Sequence, residues 1–236
     1  MAAPLATRLP ENDHRIELKA VGAPIQEGAL LAWLASHPAR FHIHYPERTV
    51  YNLYYDSHQL HAFQDALAGN LQKMKYRLRW YNQGLTATQA TLEYKARFGT
   101  SGKKISAPIR LPYPLHTHTH LQLRQHIYEQ LPEGLQIYFL ENSEPILLNT
   151  YRREYYISGD KQLRITIDRH LEIYDQRFTT GPSLTLPAML PECTIVEYKY
   201  PVTYQDNARQ ILQSAPLKPS RFSKYSIGLQ YINKYT

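Results

Sequence analysis

The chain has 236 residues and a mass of 27.6 kDa, enough for one large β-rich domain or two small ones. Its 27 Lys and Arg residues outnumber 20 Asp and Glu residues, and the net charge of +7 suits nucleic acid, anionic lipid or phosphate-rich ligands. The single cysteine, Cys193, excludes an intrachain disulfide, and no apolar run reaches membrane-spanning length. We therefore expect a cytoplasmic protein with no membrane segment, in which residues 1–13 are a flexible lead-in and residues 14–236 form one domain.

The first half of the chain alternates between predicted strands and helices. Strands are predicted where polar and apolar residues alternate, and helices where apolar residues recur every three to four positions. In chain order we predict a strand at 14–21, a helix around 30–34, a strand at 49–55, a helix around 60–67, and strands at 71–81 and 87–98. A turn at 82–84 separates the last two strands, and residues 99–104 are predicted to be a flexible basic turn before another short strand.

The second half has fewer helices. We predict a helix at 121–131, which Pro132 ends, and strands at 146–157, 162–170 and 194–200. Residues 179–191 are rich in Pro and Thr and are predicted to form a loop, and a last helix is expected near 204–213. The pattern leaves the structure of residues 223–231 open.

Charged or polar residues at every second position mark six of these segments. The segments are Arg15-x-Glu17-x-Lys19, Lys75-x-Arg77-x-Arg79, Glu93-x-Lys95-x-Arg97, Tyr151-x-Arg153, Arg164-x-Thr166-x-Asp168 and Glu197-x-Lys199. A period of two is that of a β-strand, so each segment has one ionic and one apolar face. The ionic faces carry ten basic residues against four acids. Such an excess of positive charge predicts a surface that binds a polyanion.

Two arrangements of these strands account for the pattern. In the first, the apolar faces pack on a core and the ionic faces meet water, as in any half-exposed antiparallel sheet. In the second, the strands close into a barrel with the ionic faces inward and helices on the apolar outside. Neighbouring cations repel one another, so the second arrangement needs a bound anion or interleaved acids.

Eight motifs in order resemble the VTC domain, the polyphosphate-polymerase domain of the vacuolar transporter chaperone complex. They are RIELK (15–19), YYDS (54–57), KYRLRWY (75–81), LEYKAR (92–97), YRR (151–153), LRITID (163–168), VEYK (196–199) and FSKY (222–225). Through this domain the chain is similar to the triphosphate tunnel group, which includes the CYTH-type phosphatases. The resemblance implies an α+β fold: a closed, antiparallel, eight-stranded β tunnel with helices packed on the outside.

The resemblance also implies a set of site residues. Catalytic cations are expected at Lys19, Arg77, Arg79, Lys95, Arg153, Arg164 and Lys224. Further substrate-binding residues are expected at Arg15, Lys75, Lys104, Tyr151, Lys199, Arg221 and Ser223. Glu197 is expected to hold a Mn²⁺ or Mg²⁺ ion, with Glu17 and Asp168 as alternatives.

The implied activity is the metal-dependent transfer of the γ-phosphate of ATP onto a growing polyphosphate chain. Tunnel phosphatases typically open with Glu-x-Glu-x-Lys, but Arg15 replaces the first acid here, which favours the polymerase branch. The alternatives are a metal-dependent triphosphatase of inorganic or nucleoside triphosphates, and a non-catalytic module that binds polyphosphate or nucleic acid. Nucleic acid is the less favoured partner, because Tyr76, Trp80 and Tyr94 fall on the face opposite the cations.

Overall fold

The computed structural model describes residues 15–70, 72–98 and 101–235, and their side chains except those of residues 72–73, 97–98, 101–103 and 235. The predicted lead-in at 1–13 lies outside the described residues. Over the described part of the chain there are eight strands and six α-helices. The strands are β1 (Arg15–Gly22), β2 (His42–Asp56), β3 (Gln72–Tyr81), β4 (Gln89–Phe98), β5 (Ser101–Arg110), β6 (Glu144–Ile157), β7 (Arg164–Asp175) and β8 (Thr194–Pro201). The helices are α1 (Glu27–Ser36), α2 (His61–Ala68), α3 (His120–Gln130), α4 (Glu133–Glu141), α5 (Gln205–Gln213) and α6 (Lys224–Tyr235).

The strands form one antiparallel sheet in the order β1-β8-β7-β6-β2-β3-β4-β5. Five strands separate β1 from β4 in this order, so a flat sheet would hold the two about 29 Å apart. Instead, Lys95 Nζ on β4 lies 3.3 Å from Glu17 Oε2 on β1. The sheet is therefore strongly curled, and its concave side is enclosed by its own strands. The recorded ladders end at β1 and β5 within the described residues, so closure of the sheet by hydrogen bonds stays a prediction.

The convex side is apolar and carries most of the helices. Helices α3 and α4 cover β3, β4 and β5, where Trp80, Ile127 and Phe139 belong to one buried cluster. Helices α1 and α5 cover β7 and β8, where Leu30 and Tyr198 belong to a second cluster. Burial of these apolar faces stabilises the curled sheet at roughly 25 cal/mol per Å² of apolar surface.

The C-terminal helix departs from the prediction that the helices pack outside. Tyr225 and Leu229 of α6 pack with Leu147 of β6 and Ile173 of β7, which point to the concave side. A Cβ atom at Gly228 would lie 2.5 Å from Ile173 Cδ1 and 2.7 Å from Leu147 Cδ1, so a larger residue here would displace these side chains. Helix α6 thus fills one end of the concave side.

Several predicted boundaries were wrong for local reasons. Strand β2 begins at His42, not at the predicted residue 49. The earlier start was missed because Pro46 and two register shifts interrupt the alternation of polar and apolar residues before position 49. Strand β5 begins at Ser101, inside the predicted turn at 99–104, whose residues 99–100 lie outside the described part of the chain. Helix α4 was missed because it starts immediately after Pro132, which had marked only the end of α3. In the described residues, no helix has the length and apolarity needed to cross a membrane.

Candidate functional site

Charged side chains fill the middle of the concave side and pair across strands that are distant in sequence. We call this set the ionic interior. Its members are Glu17, Lys19, Lys75, Arg77, Arg79, Glu93, Lys95, Lys104, Arg153, Asp168, Glu197, Lys199 and Lys224. The strand period of two places them on the face opposite the two outer apolar clusters. Cations outnumber acids, and Glu17, Glu93 and Asp168 are each paired with at least two cations.

The first group of ion pairs surrounds Glu93. Its carboxylate lies 2.6 Å from Arg77 Nη2, 2.8 Å from Lys104 Nζ and 3.6 Å from Arg79 Nη1. Burial would raise the pKa of Glu93, but the three cations outweigh it and lower the pKa. Arg79 Nε also donates to Asn52 Oδ1 at 2.7 Å, which fixes the direction of its guanidinium group.

The second group surrounds Asp168, whose side chain is 1% exposed. Arg153 binds it with Nε to Oδ1 and Nη2 to Oδ2, at 2.5 and 2.7 Å. Lys224 Nζ lies 2.5 Å from Oδ2 and 4.5 Å from the centre of the Tyr151 ring. Burial would raise the pKa of Asp168, but Arg153 and Lys224 lower it. Both oxygens of Asp168 are therefore engaged by cations.

The third group contains two neighbouring carboxylates, Glu17 and Glu197. Lys199 pairs with Glu197 and lies 3.6 Å from Glu17, which also pairs with Lys19 and Lys95 at 3.3 Å each. Burial and Glu197 would raise the pKa of Glu17, yet Lys199, Lys95 and Lys19 lower it to about 2. The antiparallel register places Glu17 opposite Lys199 and Lys19 opposite Glu197.

This third group is the part of the ionic interior that fits a divalent ion. No group of three or more His, Cys, Asp or Glu side chains converges anywhere in the described residues. Mg²⁺ and similar ions, however, are usually held by one or two carboxylates, with phosphate oxygens and water completing the shell. Glu197 and Glu17 provide that number of carboxylates. Asp168 is less suited, because Arg153 and Lys224 occupy both of its oxygens.

Helix α6 and the residue before it, Ser223, bring two polar groups into the ionic interior. Lys75 Nζ donates to Ser223 Oγ at 2.9 Å, and Lys224 reaches Asp168. The helix is held by Tyr225, whose hydroxyl donates to Asp56 Oδ2 at 2.5 Å. Asp56 is fully buried and also caps α2, since its carboxylate accepts the backbone N–H groups of Ala62 and Phe63.

Two groups near the start of α6, the half-buried Lys75 and the buried Tyr54, have pKa values of about 8. Burial lowers the pKa of Lys75 to about 8, with Lys19, Arg77 and Lys95 adding to this effect. Burial would raise the pKa of Tyr54, but Arg77 and Arg79 outweigh it and lower the value to about 8. The charge of this end of the ionic interior therefore changes near pH 8.

A sequence model of the VTC domain matches residues 17–233, nearly the whole chain. The chain belongs to the VTC domain family. Two solved structures share the fold of this VTC domain, each at 14% sequence identity. A candidate adenylate cyclase from Vibrio parahaemolyticus aligns over 93% of this chain and 99% of its own, with a TM-score of 0.51. A candidate adenylyl cyclase from Hippeastrum with a dominant triphosphatase activity aligns over 92% and 95%, with a TM-score of 0.54. Among curated proteins, none matches the sequence.

Most residues expected to form the site of the VTC domain meet in the ionic interior. Arg164 is half-buried, lies opposite Lys199 in the β7–β8 register and shares a strand face with Asp168. Arg15 and Arg221 are both exposed. The roles of all these residues in binding and catalysis stay predictions.

The sequence reasoning missed several polar groups of the interior. Glu93 was not chosen as a site residue, although its place two positions before Lys95 was an available signal. Asn52 and Asn149, hydrogen-bonded to each other at 2.8 Å, gave no such signal because neither lies in a charged alternating segment. Tyr54 was also missed, although Arg77 Nη1 donates to its hydroxyl at 3.3 Å.

Proposed function

We propose that this VTC domain binds a triphosphate or a polyphosphate chain in the ionic interior and transfers the γ-phosphate of ATP onto a growing polyphosphate chain. One observation carries the proposal. Cations from six strands and from α6 converge on the concave side, where the acids present are already shared among them. A bound polyanion would offset the remaining positive charge, which is costly in a partly buried space.

The residue types suit phosphoryl transfer, in which a protein mainly aligns groups and neutralises charge. Arg77, Arg79 and Arg153 offer planar forks that bind phosphate oxygens in pairs, and the lysines act as mobile point charges. A terminal phosphate oxygen of the chain would attack the γ-phosphorus of ATP. The bond from that phosphorus to its bridging oxygen would break, and ADP would leave with the electron pair.

We assign the metal to Glu197, with Glu17 as its neighbour. A bound Mn²⁺ or Mg²⁺ ion would neutralise charge on the phosphate oxygens during transfer. Lys199 contacts both carboxylates, so it would turn from them toward phosphate when the ion enters. The proposed polymerase also needs an enclosed path for the growing polyphosphate chain. We propose a closed tunnel, for which the Lys95–Glu17 contact across the curled sheet is the support.

A second candidate function is a metal-dependent triphosphatase. The Hippeastrum protein with the same fold has a dominant triphosphatase activity, and the two functions differ only in the nucleophile. In the hydrolase, water would attack the terminal phosphorus and lose a proton. The bond from that phosphorus to its bridging oxygen would break, the diphosphate part would leave with the electron pair, and orthophosphate would be released.

The deciding experiment is an incubation of the purified protein with ATP and Mn²⁺, followed by analysis of the products. Chain polyphosphate formed together with ADP is the expected result. Orthophosphate without chain polyphosphate would identify the triphosphatase. Salt-sensitive binding of ATP or polyphosphate without turnover would leave only a binding module, and the proposed polymerase would be rejected.

A further inference from the structure

A cluster of three tyrosines surrounds Arg48 at one end of the concave side. The Arg48 guanidinium carbon lies 5.5 Å from the ring centre of Tyr45, 5.7 Å from that of Tyr81 and 5.8 Å from that of Tyr155. The Tyr45 and Tyr155 rings meet edge to face with their centres 5.7 Å apart. We call these four residues the tyrosine cluster. Among the described residues, Arg48 has no acidic partner, so its contacts are with aromatic rings.

Strand register places the tyrosine cluster on the same face as the ionic interior. Arg48 lies directly opposite Arg153, and Tyr45 lies opposite Tyr155. Directly opposed residues of an antiparallel pair share a face. Tyr81 follows Arg79 by two positions on β3, as Tyr155 follows Arg153 on β6, so both tyrosines continue the line of inward-facing cations.

The tyrosine cluster lies at the end away from α6. Along β3 the inward residues run from Lys75, which contacts Ser223, through the arginines to Tyr81. Along β6 they run from Leu147, which packs near Gly228, to Tyr155. One end of the concave side is therefore filled with apolar side chains, and the other presents aromatic rings. Tyr45 is 45% exposed and Tyr81 is 38% exposed, so these rings are open to a ligand.

We propose that the tyrosine cluster binds the base of a nucleoside triphosphate whose phosphates lie in the ionic interior. This inference rests on the proposed function and adds the part of the site that recognises the nucleoside. Aromatic rings and a guanidinium plane are the groups on which bases stack. A phosphate chain alone would gain nothing from aromatic rings, whereas a base has two flat faces on which rings can stack.

The spacing along β3 agrees with this placement. Tyr81 follows Arg79 by about 7 Å along the strand and Arg77 by about 14 Å, taking the rise of an antiparallel strand. A ribose would bridge the shorter gap, with the α-phosphate at Arg79 and the later phosphates deeper in the ionic interior. The base then stays at the open end, and the γ-phosphate points toward Lys75 and α6.

Equilibrium binding to wild-type and variant proteins tests the proposal, with ATP and inorganic triphosphate as the two probes. Both are titrated calorimetrically in the presence of EDTA, which prevents turnover. Tyr81→Ala is expected to weaken ATP binding by about tenfold or more, the usual loss when one stacking ring is removed. It is expected to leave the affinity for inorganic triphosphate unchanged. Tyr81→Phe keeps the ring and is expected to bind both probes like wild type.

Controls separate the possible outcomes. Tyr113→Ala removes a tyrosine that is 67% exposed and lies outside the cluster, and it should change neither affinity. Equal losses for both probes in Tyr81→Ala, or no loss for either, would overturn the proposal, with circular dichroism confirming that the variant is folded. If the wild type bound neither probe, the proposed function itself would fail, and this inference with it.

Discussion

Lys224, the first residue of α6, and Asp168, in the middle of β7, form a 2.5 Å ion pair on the concave side of the sheet. The carboxylate is 1% exposed and the lysine side chain 10% exposed. Because Arg153 of β6 binds the same carboxylate, the buried Asp168 connects β7 both to β6 and to helix α6. The position of α6 therefore depends on charge as well as on apolar packing.

Replacement of Asp168 is expected to destabilise the fold. Asp168→Asn keeps the shape of the side chain but leaves Arg153 and Lys224 without a counter-charge, which costs about 3 to 5 kcal/mol of the free energy of unfolding. Urea denaturation monitored by circular dichroism measures this loss. Asp206→Asn is the matched control, since Asp206 is 89% exposed and should not shift the transition. Equal stability of both variants would contradict the role given to Asp168.

Removal of single cations should weaken triphosphate binding without unfolding the protein. Arg77→Ala leaves Glu93 paired with Arg79 and Lys104, and Arg164→Ala breaks no ion pair among the described residues. Each variant should lose a charge-assisted contact with phosphate, which lowers the affinity by about 10- to 100-fold. Calorimetric titration with inorganic triphosphate measures the change.

The control for this pair is Arg209→Ala on the outer helix α5, where the arginine is 66% exposed. Wild-type affinity in both folded interior variants would reject the placement of the phosphates.

Triphosphate affinity should fall as the pH rises between about 7 and 9. Lys75 loses its positive charge and Tyr54 gains a negative one as each passes its pKa of about 8, so both changes oppose a bound anion. The terminal phosphate of the ligand ionises near pH 6, so it contributes little to the change in affinity above pH 7. The double variant Lys75→Met/Tyr54→Phe should show a flatter pH dependence. A curve as steep as that of the wild type would assign the titration to other groups.

Glu197→Gln should separate metal use from anion binding. The change removes one negative charge from a cationic strand face, so triphosphate should bind at least as tightly without metal. Turnover stimulated by Mn²⁺ should be lost, because the anionic metal ligand is gone. Glu192→Gln, at a position that is 67% exposed, controls for charge alone. Wild-type turnover and metal dependence in Glu197→Gln would move the ion toward Glu17 or Asp168.

Much of the sheet could be predicted because its strands alternate polar and apolar residues. The signal failed where packing or pairing, rather than alternation, decides the structure. Strand β5 begins in a Gly- and Ser-containing stretch and becomes a strand by pairing with β4. Helix α6 was left unassigned, because the packing of its Gly228 against β6 and β7 cannot be read from the alternation of residues. The cytoplasmic location and the single domain stay predictions.

The sequence predicted which cations form the candidate site, but not which acid pairs with which cation. Alternation and family motifs selected the cations, most of which lie on charged strand faces, whereas Lys224 begins α6. Which acid holds which cation depends on contacts between distant strands, such as Glu17 with Lys95. The tyrosine cluster had no local signature, because Tyr45, Tyr81 and Tyr155 come from three strands that only the folded sheet brings together.

The pairing of β1 with β8 makes assembly of the proposed metal site a late event in synthesis. Glu17 leaves the ribosome early, but its opposing strand carries Glu197 and Lys199, nearly the last strand residues to be made. Until then the nascent chain holds β1 without its neighbour, and a loop of most of the chain's length has to close. A truncated translation product that stops before β8 would keep many of the cations, yet it would lack the carboxylate assigned to the ion. Synthesis through β8 is thus a condition for the catalysis that we propose.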